Sequence, residues 1–221
     1  MCGRFVLIAD PNVIQQEFNL TGVPDVTPRY NIAPTQTLPV ITNENPRELS
    51  FLRWGLVPSW AKDDTAGAKM INARAETVAE KPAFRSAFRR RRCLVPASGF
   101  YEWQARDDGK APMFIHLKDR EIFAFAGLWE VWQMPTGEPL RTFTILTTDA
   151  NDFVSSIHNR MPVILRREDY ASWLQPDEVP AEALQPLLKP FDPAAMAAHE
   201  VSKAVNRATF DAPECIVPLA S

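Results

Sequence analysis

The sequence is poor in cysteine, histidine and glycine. The first two shortages argue against disulfide-rich and metal-binding proteins, and the third bears on the loops. Three cysteines in 221 residues, at positions 2, 93 and 215, form an odd and widely spaced set, so neither a disulfide framework nor a CxxC metal site is indicated. Three scattered histidines, without cysteines or carboxylates at matching spacing, argue against a zinc site, and we expect no metal and no cofactor. Eight glycines beside twenty prolines indicate rigid, ordered loops.

Long apolar runs and excess positive charge are also missing. No apolar run is long enough to span a bilayer, and the N-terminal residues lack the basic region and apolar stretch of a secretory signal. We therefore expect a cytoplasmic protein with no membrane partner. The formal net charge of −3 argues against a general basic coat on nucleic acid. Local binding stays open, because Arg85, Arg89, Arg90, Arg91 and Arg92 form either a solvated helix end or a phosphate-binding patch.

The residues that are present suffice for one substantial core. Hydrophobic residues make up 46% of the chain, without repeats or low-complexity tracts, so we predict a single domain over 1–221. β-Branched or aromatic runs predict largely antiparallel strands at 3–8, 38–42, 49–56, 112–117, 122–129 and 141–147. Helical spacing predicts helices after Asp10-Pro11 and at 81–91, 150–156, 168–174 and 181–188. The irregular alternation of these elements favours an α+β fold.

Cys2 has an unusual position, because removal of an initiator methionine before a small residue would make it the N-terminus. One residue would then carry an amine with a reference pKa of about 8 and a thiol with a reference pKa of about 8.5. Such a pair condenses with an aldehyde, first to an imine and then, by intramolecular closure, to a five-membered thiazolidine. The alternatives are an N-terminal-nucleophile amidohydrolase and a small buried side chain without chemistry.

Two further residues suit proton transfer. Glu102 lies among aromatic residues in segment 99–103, an environment that raises a carboxyl pKa, although an outward-facing glutamate of an alternating strand fits the pattern equally well. His158 lies at an element boundary, where functional side chains are common, and histidine exchanges protons near neutral pH. His116, in a strand pattern, and His199, in an Ala-rich helical stretch, are expected to be structural or surface residues.

Asn72 and Arg74 are two residues apart and therefore share a face if segment 70–77 is extended. Asn72 suits a sugar oxygen or an amine, and Arg74 suits a phosphate; a capping asparagine and a surface ion pair are the ordinary alternatives. Pro34 and Trp54 lie in proline-stiffened loops of the kind that carry stacking surfaces for unpaired bases, although tryptophan is more often core.

These segments together resemble the SOS-response-associated peptidase family, whose members are abasic-site processing proteins. The matching motifs lie at 1–5, 29–34, 54–58, 71–77, 99–103, 157–162 and 201–206, so the resemblance covers nearly the whole chain. It implies a single α+β domain with a curved, barrel-like, mainly antiparallel β core, peripheral helices and no metal. It implies single-stranded DNA containing abasic sites as partner, and a monomer associated with the nucleoid when on DNA; replication-associated proteins stay open as further partners.

The resemblance also implies a role for each matched residue. Cys2 would form a thiazolidine with the ring-opened sugar, Asn72 would position the amine or sugar, and Glu102 and His158 would transfer protons. Phosphate and strand contacts would come from Arg4, Pro34, Trp54, Arg74, Arg85 and Arg160. Peptidase activity would denote self-processing of the terminus, with lyase chemistry through the imine. Some relatives have consecutive tryptophans after the Trp54 motif, whereas this chain has only Trp60. A noncovalent single-strand-binding module is a third possibility.

Overall fold

A computed structural model describes residues 2–219 and shows an α+β fold with short helices around two sheets. Within these residues the strands are β1 (Phe5–Leu7), β2 (Arg29–Ile32), β3 (Thr37–Thr42), β4 (Ser50–Trp54), β5 (Asn72–Arg74), β6 (Arg92–Ala97), β7 (Gly99–Arg106), β8 (Gly109–Leu117), β9 (Phe123–Gln133), β10 (Pro139–Asp149), β11 (Arg160–Pro162), β12 (Ile164–Leu165) and β13 (Met196–Glu200). The α-helices are α1 (Pro11–Phe18), α2 (Arg85–Arg90), α3 (Asp152–Ser155), α4 (Tyr170–Trp173) and α5 (Ala181–Leu184). Short 3-10 helices cover Asp64–Lys69, Arg167–Asp169, Gln185–Leu187, Pro193–Ala195, Lys203–Asn206 and Pro213–Ile216.

The larger sheet closes on itself as a five-stranded barrel. Its ring runs β10-β4-β3-β6-β9 and returns to β10, with only the β10–β4 pair parallel. β5 continues the parallel pairing along β10 where β4 stops, and β11 and β12 extend β10 and β9. Because closure satisfies the backbone groups of the ring strands, no open edge is left there. The predicted curved, barrel-like core is confirmed.

The second sheet is antiparallel throughout, in the order β13-β8-β7-β1-β2. Phe5 of β1 pairs with Phe100 of β7, and the Tyr101 amide donates to the Arg4 carbonyl at 3.0 Å. This register places the chain start beside the middle of β7. The Phe5 ring then packs edge-on against Trp54 at 5.2 Å and Phe125 at 5.8 Å, which joins the sheet to the barrel.

The first helix forms for the reasons visible in its sequence. The Asp10 side chain accepts a hydrogen bond from the Asn12 amide at 2.8 Å, and Pro11 occupies the first helical position. Ile14 and Phe18 are buried, and Asn19 ends the helix in a left-handed conformation with φ of 52°. The predicted helix is confirmed. Among the described residues, no helix has the length and apolar character needed to cross a membrane.

The helical stretch predicted around His199 was wrong, since this residue lies in strand β13. It pairs with Phe114 of β8, and its ring contacts the rings of Phe114 and His116. The alanines at 197 and 198 favour a helix locally, but pairing with the otherwise open edge of β8 outweighs that preference.

Candidate active site and nucleic-acid surface

Cys2 lies three residues before β1 and near Glu102 of β7. Its Sγ atom lies 3.9 Å from the Arg4 carbonyl oxygen, and the residue is fully buried in the full-length chain. Burial and, second, the charge of the Glu102 carboxylate raise the pKa of the thiol. The thiol is therefore protonated at neutral pH while residue 1 is attached, and the Cys2 nitrogen is then a peptide amide.

Glu102 of β7 and His158, in the segment between α3 and β11, meet at this site. The His158 Nε2 and Glu102 Oε2 atoms are 3.9 Å apart, and the exposed fractions of the two side chains are 29% and 4%. Burial raises the pKa of the Glu102 carboxyl, an effect that the nearby His158 partly opposes. The pair therefore links a buried acid to a histidine that reaches solvent.

The tautomer of neutral His158 follows from its contacts. Its Nδ1 atom lies 3.0 Å from the Arg160 backbone nitrogen and 3.2 Å from the Arg160 carbonyl oxygen. A backbone N–H can only donate, and its contact is the shorter, so we assign Nδ1 as the acceptor. The proton of the neutral ring then resides on Nε2, the atom that faces Glu102.

Asn72, the first residue of β5, offers a hydrogen-bond acceptor. Its amide nitrogen donates to the Ile71 carbonyl at 3.0 Å, while its Oδ1 atom is buried and has no hydrogen-bond donor within residues 2–219. A buried acceptor without a partner is costly, so it marks a position where a ligand donor would be favourable. The indole nitrogen of Trp54 donates to the same carbonyl at 2.9 Å, and its ring packs on Phe5 of β1.

The predicted DNA contact by Trp54 is not supported by its position. The side chain is fully buried, stacked near Phe143 at 6.3 Å between ring centroids, so no face is available to a base. Its role is to join β4, the Asn72 segment and β1. Pro34 lies half-buried in the turn between β2 and β3, where the Thr35 amide donates to the Trp54 carbonyl at 2.9 Å. Contact of Pro34 with DNA stays a prediction.

An open groove of about 540 Å³ lies next to Asn72, and we name it the Trp60 groove. Its lining consists of Trp60, Lys69, Met70, Asn72, Ala73, Arg74, Thr77, Lys81, Pro82, Ala83 and Phe84. Trp60 is 65% exposed. Apolar residues with exposed cations at the rim suit a nucleic acid, whose bases stack and whose phosphates carry charge.

The loop that carries Trp60 is fixed by two glycines. Gly55 has φ of 118°, and a Cβ on Gly55 or Gly67 would lie 2.6 or 2.7 Å from the other's carbonyl oxygen. The Leu56 amide donates to the Met70 carbonyl at 3.1 Å, which closes the loop. These contacts hold an exposed tryptophan on a short, ordered segment.

The predicted phosphate contacts fall into two groups. Arg74 and Arg85 are exposed and form no ion pair within residues 2–219, so both are available to an anion. Arg4, in contrast, donates to Asn31 Oδ1 at 2.7 Å and to the carbonyls of Val205 and Asn206. It anchors the C-terminal segment, and its phosphate contact stays a prediction.

Arg160 is held by two carboxylates. It donates to both oxygens of Glu76 at 2.8 and 2.9 Å and to Asp149 Oδ1 at 2.6 Å. Burial opposes the charged form, but the hydrogen bonds and charges of Glu76 and Asp149 outweigh it and raise the pKa of Arg160. A phosphate at Arg160 would have to share the guanidinium with these carboxylates, so this contact also stays a prediction.

The arginine run after Arg85 is largely structural. Arg89 and Arg90 pair with Glu178, and Arg91 pairs with Glu130. Arg92 is fully buried, where burial lowers its pKa to about 10. Its guanidinium donates to the carbonyls of Phe88, Arg89, Trp173, Gln175 and Asp177.

Sequence reasoning selected Cys2, Glu102 and His158, which the structure places near one another. It did not select Lys69 or Lys81, which line the Trp60 groove, and it chose the buried Trp54 instead of the exposed Trp60. A signal for the lysines was available, since both flank the Asn72–Arg74 segment at short spacing. Within the described part of the chain, no group of three or more His, Cys, Asp or Glu side chains is arranged to hold a metal ion.

Comparison with known proteins adds independent evidence. The sequence model of the SOS response associated peptidase (SRAP) family matches residues 1–208. The chain is 47% identical over 221 residues to abasic site processing protein YoqW of Bacillus subtilis, covering 98% of this chain and 99% of YoqW. It is 37% identical over 225 residues to abasic site processing protein HMCES of Gallus gallus, covering 87% of this chain and 66% of HMCES.

Solved structures agree with the sequence comparisons. A crystal structure of a protein from Bacteroides thetaiotaomicron superposes with a TM-score of 0.89 at 29% identity, covering 99% of this chain and all of that one. A second crystal structure, of a protein from Bordetella bronchiseptica, superposes with a TM-score of 0.77 at 26% identity over 91% of this chain. Because the family model spans most of the sequence, the chain belongs to the SOS response associated peptidase family.

Proposed function

We propose that this protein processes abasic sites in single-stranded DNA by capturing the lesion covalently through Cys2 once residue 1 has been removed. The observation that carries the proposal is the position of Cys2 beside a buried glutamate that lies 3.9 Å from a solvent-reaching histidine. The family membership and the names of the relatives, which are abasic site processing proteins, support the choice of substrate.

The chemistry begins with the amine. The free Cys2 nitrogen attacks the C1′ aldehyde of the ring-opened sugar, and the resulting carbinolamine loses its hydroxyl as water to give an imine. This step needs a proton on the departing oxygen, and Glu102 supplies it, since burial raises its carboxyl pKa and so favours the protonated form. His158, which is 29% exposed, exchanges that proton with solvent.

The thiol then completes the crosslink. Cys2 sulfur adds to the imine carbon while its proton passes to the nitrogen, so one C–S bond forms, the C=N bond becomes single and a thiazolidine results. The addition is intramolecular and closes a five-membered ring, which favours it entropically. The Asn72 Oδ1 atom, buried without a donor in the described residues, accepts a hydrogen bond from the amine or a sugar hydroxyl.

The Trp60 groove would hold the nucleotides beside the lesion. Trp60 offers a stacking face, and Arg74, Lys69, Lys81 and Arg85 offer charges for phosphates. In this proposal the peptidase activity in the family's name is the removal of residue 1. An imine that the thiol does not close would permit strand cleavage of the lyase type.

The test is incubation of purified protein with a single-stranded oligonucleotide that carries one abasic site. The wild type should give a heat-stable crosslinked band and an intact mass equal to the chain without Met1 plus the oligonucleotide minus one water. Cys2→Ser retains the amine but should lose the stable adduct, whereas Cys215→Ser, which changes another buried thiol, should retain it.

Other outcomes would support the other functions. Hydrolysis of a small amide or peptide without any DNA adduct would indicate an N-terminal-nucleophile amidohydrolase. DNA affinity that is equal in wild type and Cys2→Ala, with no adduct in either, would indicate a noncovalent binding module. Wild-type protein that retains Met1 throughout and still crosslinks would refute the role of the Cys2 amine.

A further inference from the structure

Gln104 connects the two elements that carry Glu102 and His158. It lies two residues after Glu102 on β7, so both side chains are on the same face of the strand. Its amide nitrogen donates to the Ser156 carbonyl at 3.0 Å. Ser156 directly follows α3 and precedes His158 by two residues, so this bond joins the strand of the acid to the segment of the histidine.

The Ser156 carbonyl is paired from outside its own segment. α3 has only four residues, and carbonyls at the end of a helix have no partner within it. The amides of Ile157 and His158 both donate to the Val154 carbonyl at 2.8 Å, which makes 154–158 one hydrogen-bonded turn. A bond to the Ser156 carbonyl therefore positions His158 as well.

Arg106 sets the orientation of the Gln104 amide. Its Nε atom donates to Gln104 Oε1 at 3.1 Å, and its Nη1 atom donates to Glu200 Oε2 at 2.7 Å. A guanidinium can only donate, so the oxygen of Gln104 must face Arg106 and its nitrogen must face Ser156. Glu200 of β13 thus holds Arg106, and Arg106 orients the Gln104 amide so that it donates to the Ser156 carbonyl.

We propose that Gln104 is a positioning residue that holds His158 within reach of Glu102, with Arg106 orienting it. The inference rests on the proposed function, since it assigns how that site keeps its proton-transfer pair assembled. Gln104 is not assigned any contact with the reacting atoms; it acts through the carbonyl of Ser156.

The test uses Gln104→Leu, which keeps approximate side-chain length and neutrality but cannot donate. Its control is Gln133→Leu at the exposed end of β9, where no side-chain hydrogen bond is formed within the described residues. Gln104→Leu should slow crosslinking about tenfold or more at neutral pH, and Arg106→Leu should have a smaller effect in the same direction. Gln133→Leu should match the wild type.

Two readouts separate positioning from a general loss of stability. The charge of His158 lowers the pKa of Glu102, so a displaced His158 should raise that pKa. Because Glu102 acts as the proton donor, the alkaline limb of the pH–rate profile, where the rate falls as Glu102 ionises, should then move to higher pH. Lys110 of β8 and Cys2 also act electrostatically on or near Glu102, and both are unchanged in the variant. Hydrogen exchange of the Arg160 amide, which donates to His158 Nδ1, should become faster without any DNA present.

Identical rates and pH profiles in Gln104→Leu and wild type would overturn the proposal, as would slower crosslinking with an unmoved profile and unchanged exchange at Arg160. If Gln104→Leu does not fold, Arg106→Leu provides the same two readouts. Absence of crosslinking in the wild type would instead refute the proposed function, and the exchange measurement would still decide whether Gln104 holds His158.

Discussion

Removal of Arg74 should reduce the salt dependence of single-stranded DNA binding by one phosphate contact. The Trp60 groove and adjacent α2 present four exposed cations without ion pairs in the described residues, namely Lys69, Arg74, Lys81 and Arg85. Each contact on a single strand contributes about 0.7 to the slope of log affinity against log salt, so four contacts give about 2.8. Affinity should therefore fall about fifty-fold between about 50 and about 200 mM salt.

Arg74→Ala should lower that slope to about 2.1, so the same salt change should weaken binding only about eighteen-fold. The assay is fluorescence anisotropy with a labelled oligonucleotide, using the Cys2→Ala background so that binding stays reversible. The matched control is Arg90→Ala, because Arg90 is exposed in the same region but donates to Glu178 at 2.8 and 3.1 Å. An unchanged slope in Arg74→Ala, or equal losses in both variants, would refute the assignment of the groove.

Two other perturbations test the site and its support. Glu102→Gln should slow crosslinking by about 10²-fold or more. Burial places the pKa of the Glu102 carboxyl in the folded state above its unfolded value, so the stability that Glu102 contributes at low pH is lost as pH rises through the folded pKa. Denaturant unfolding should therefore show Glu102→Gln to be more stable than wild type at neutral pH but not in acid. Equal stability differences at both pH values would contradict the burial argument. Gly67→Ala should lower the free energy of unfolding by about 1–3 kcal/mol and weaken DNA binding, because its Cβ would lie 2.7 Å from the Gly55 carbonyl oxygen; Gly22→Ala, with nothing within 4 Å, should be nearly neutral in the same melts.

The fold class could be predicted from the sequence because the local strand and helix patterns are strong. The closure of the barrel could not be predicted, because it depends on pairing between distant strands. Alternating and β-branched runs at 38–42 and 141–147 predict strands, and both runs form strands. The parallel pairing of Thr142 with Arg53 joins residues far apart in sequence, and nothing local specifies it. His199 was misplaced for the same reason, since its strand exists only because β8 is there to pair with it.

The two tryptophans show what local pattern leaves undecided in the site. Trp54 and Trp60 are six residues apart in one proline-containing segment, yet Trp54 is fully buried and Trp60 is 65% exposed. The chain stays buried from Gly55 to Pro58 and reaches the surface only at Ser59, directly before Trp60. Composition alone could nominate a tryptophan for base stacking but could not choose between these two.

Whether each arginine is available to a phosphate also depends on hydrogen-bond and ion-pair partners that are remote in sequence. Arg160 is neutralised by Glu76, which is 84 residues away, and Arg4 is occupied by carbonyls about 200 residues away. Arg74 has no such partner within residues 2–219. The residues nearest the nucleophile thus use their charge to hold the scaffold, while the unpaired cations lie at the Trp60 groove. It follows that substitutions at Arg4 should act mainly on folding and on the position of Cys2, whereas those at Arg74 should act on affinity.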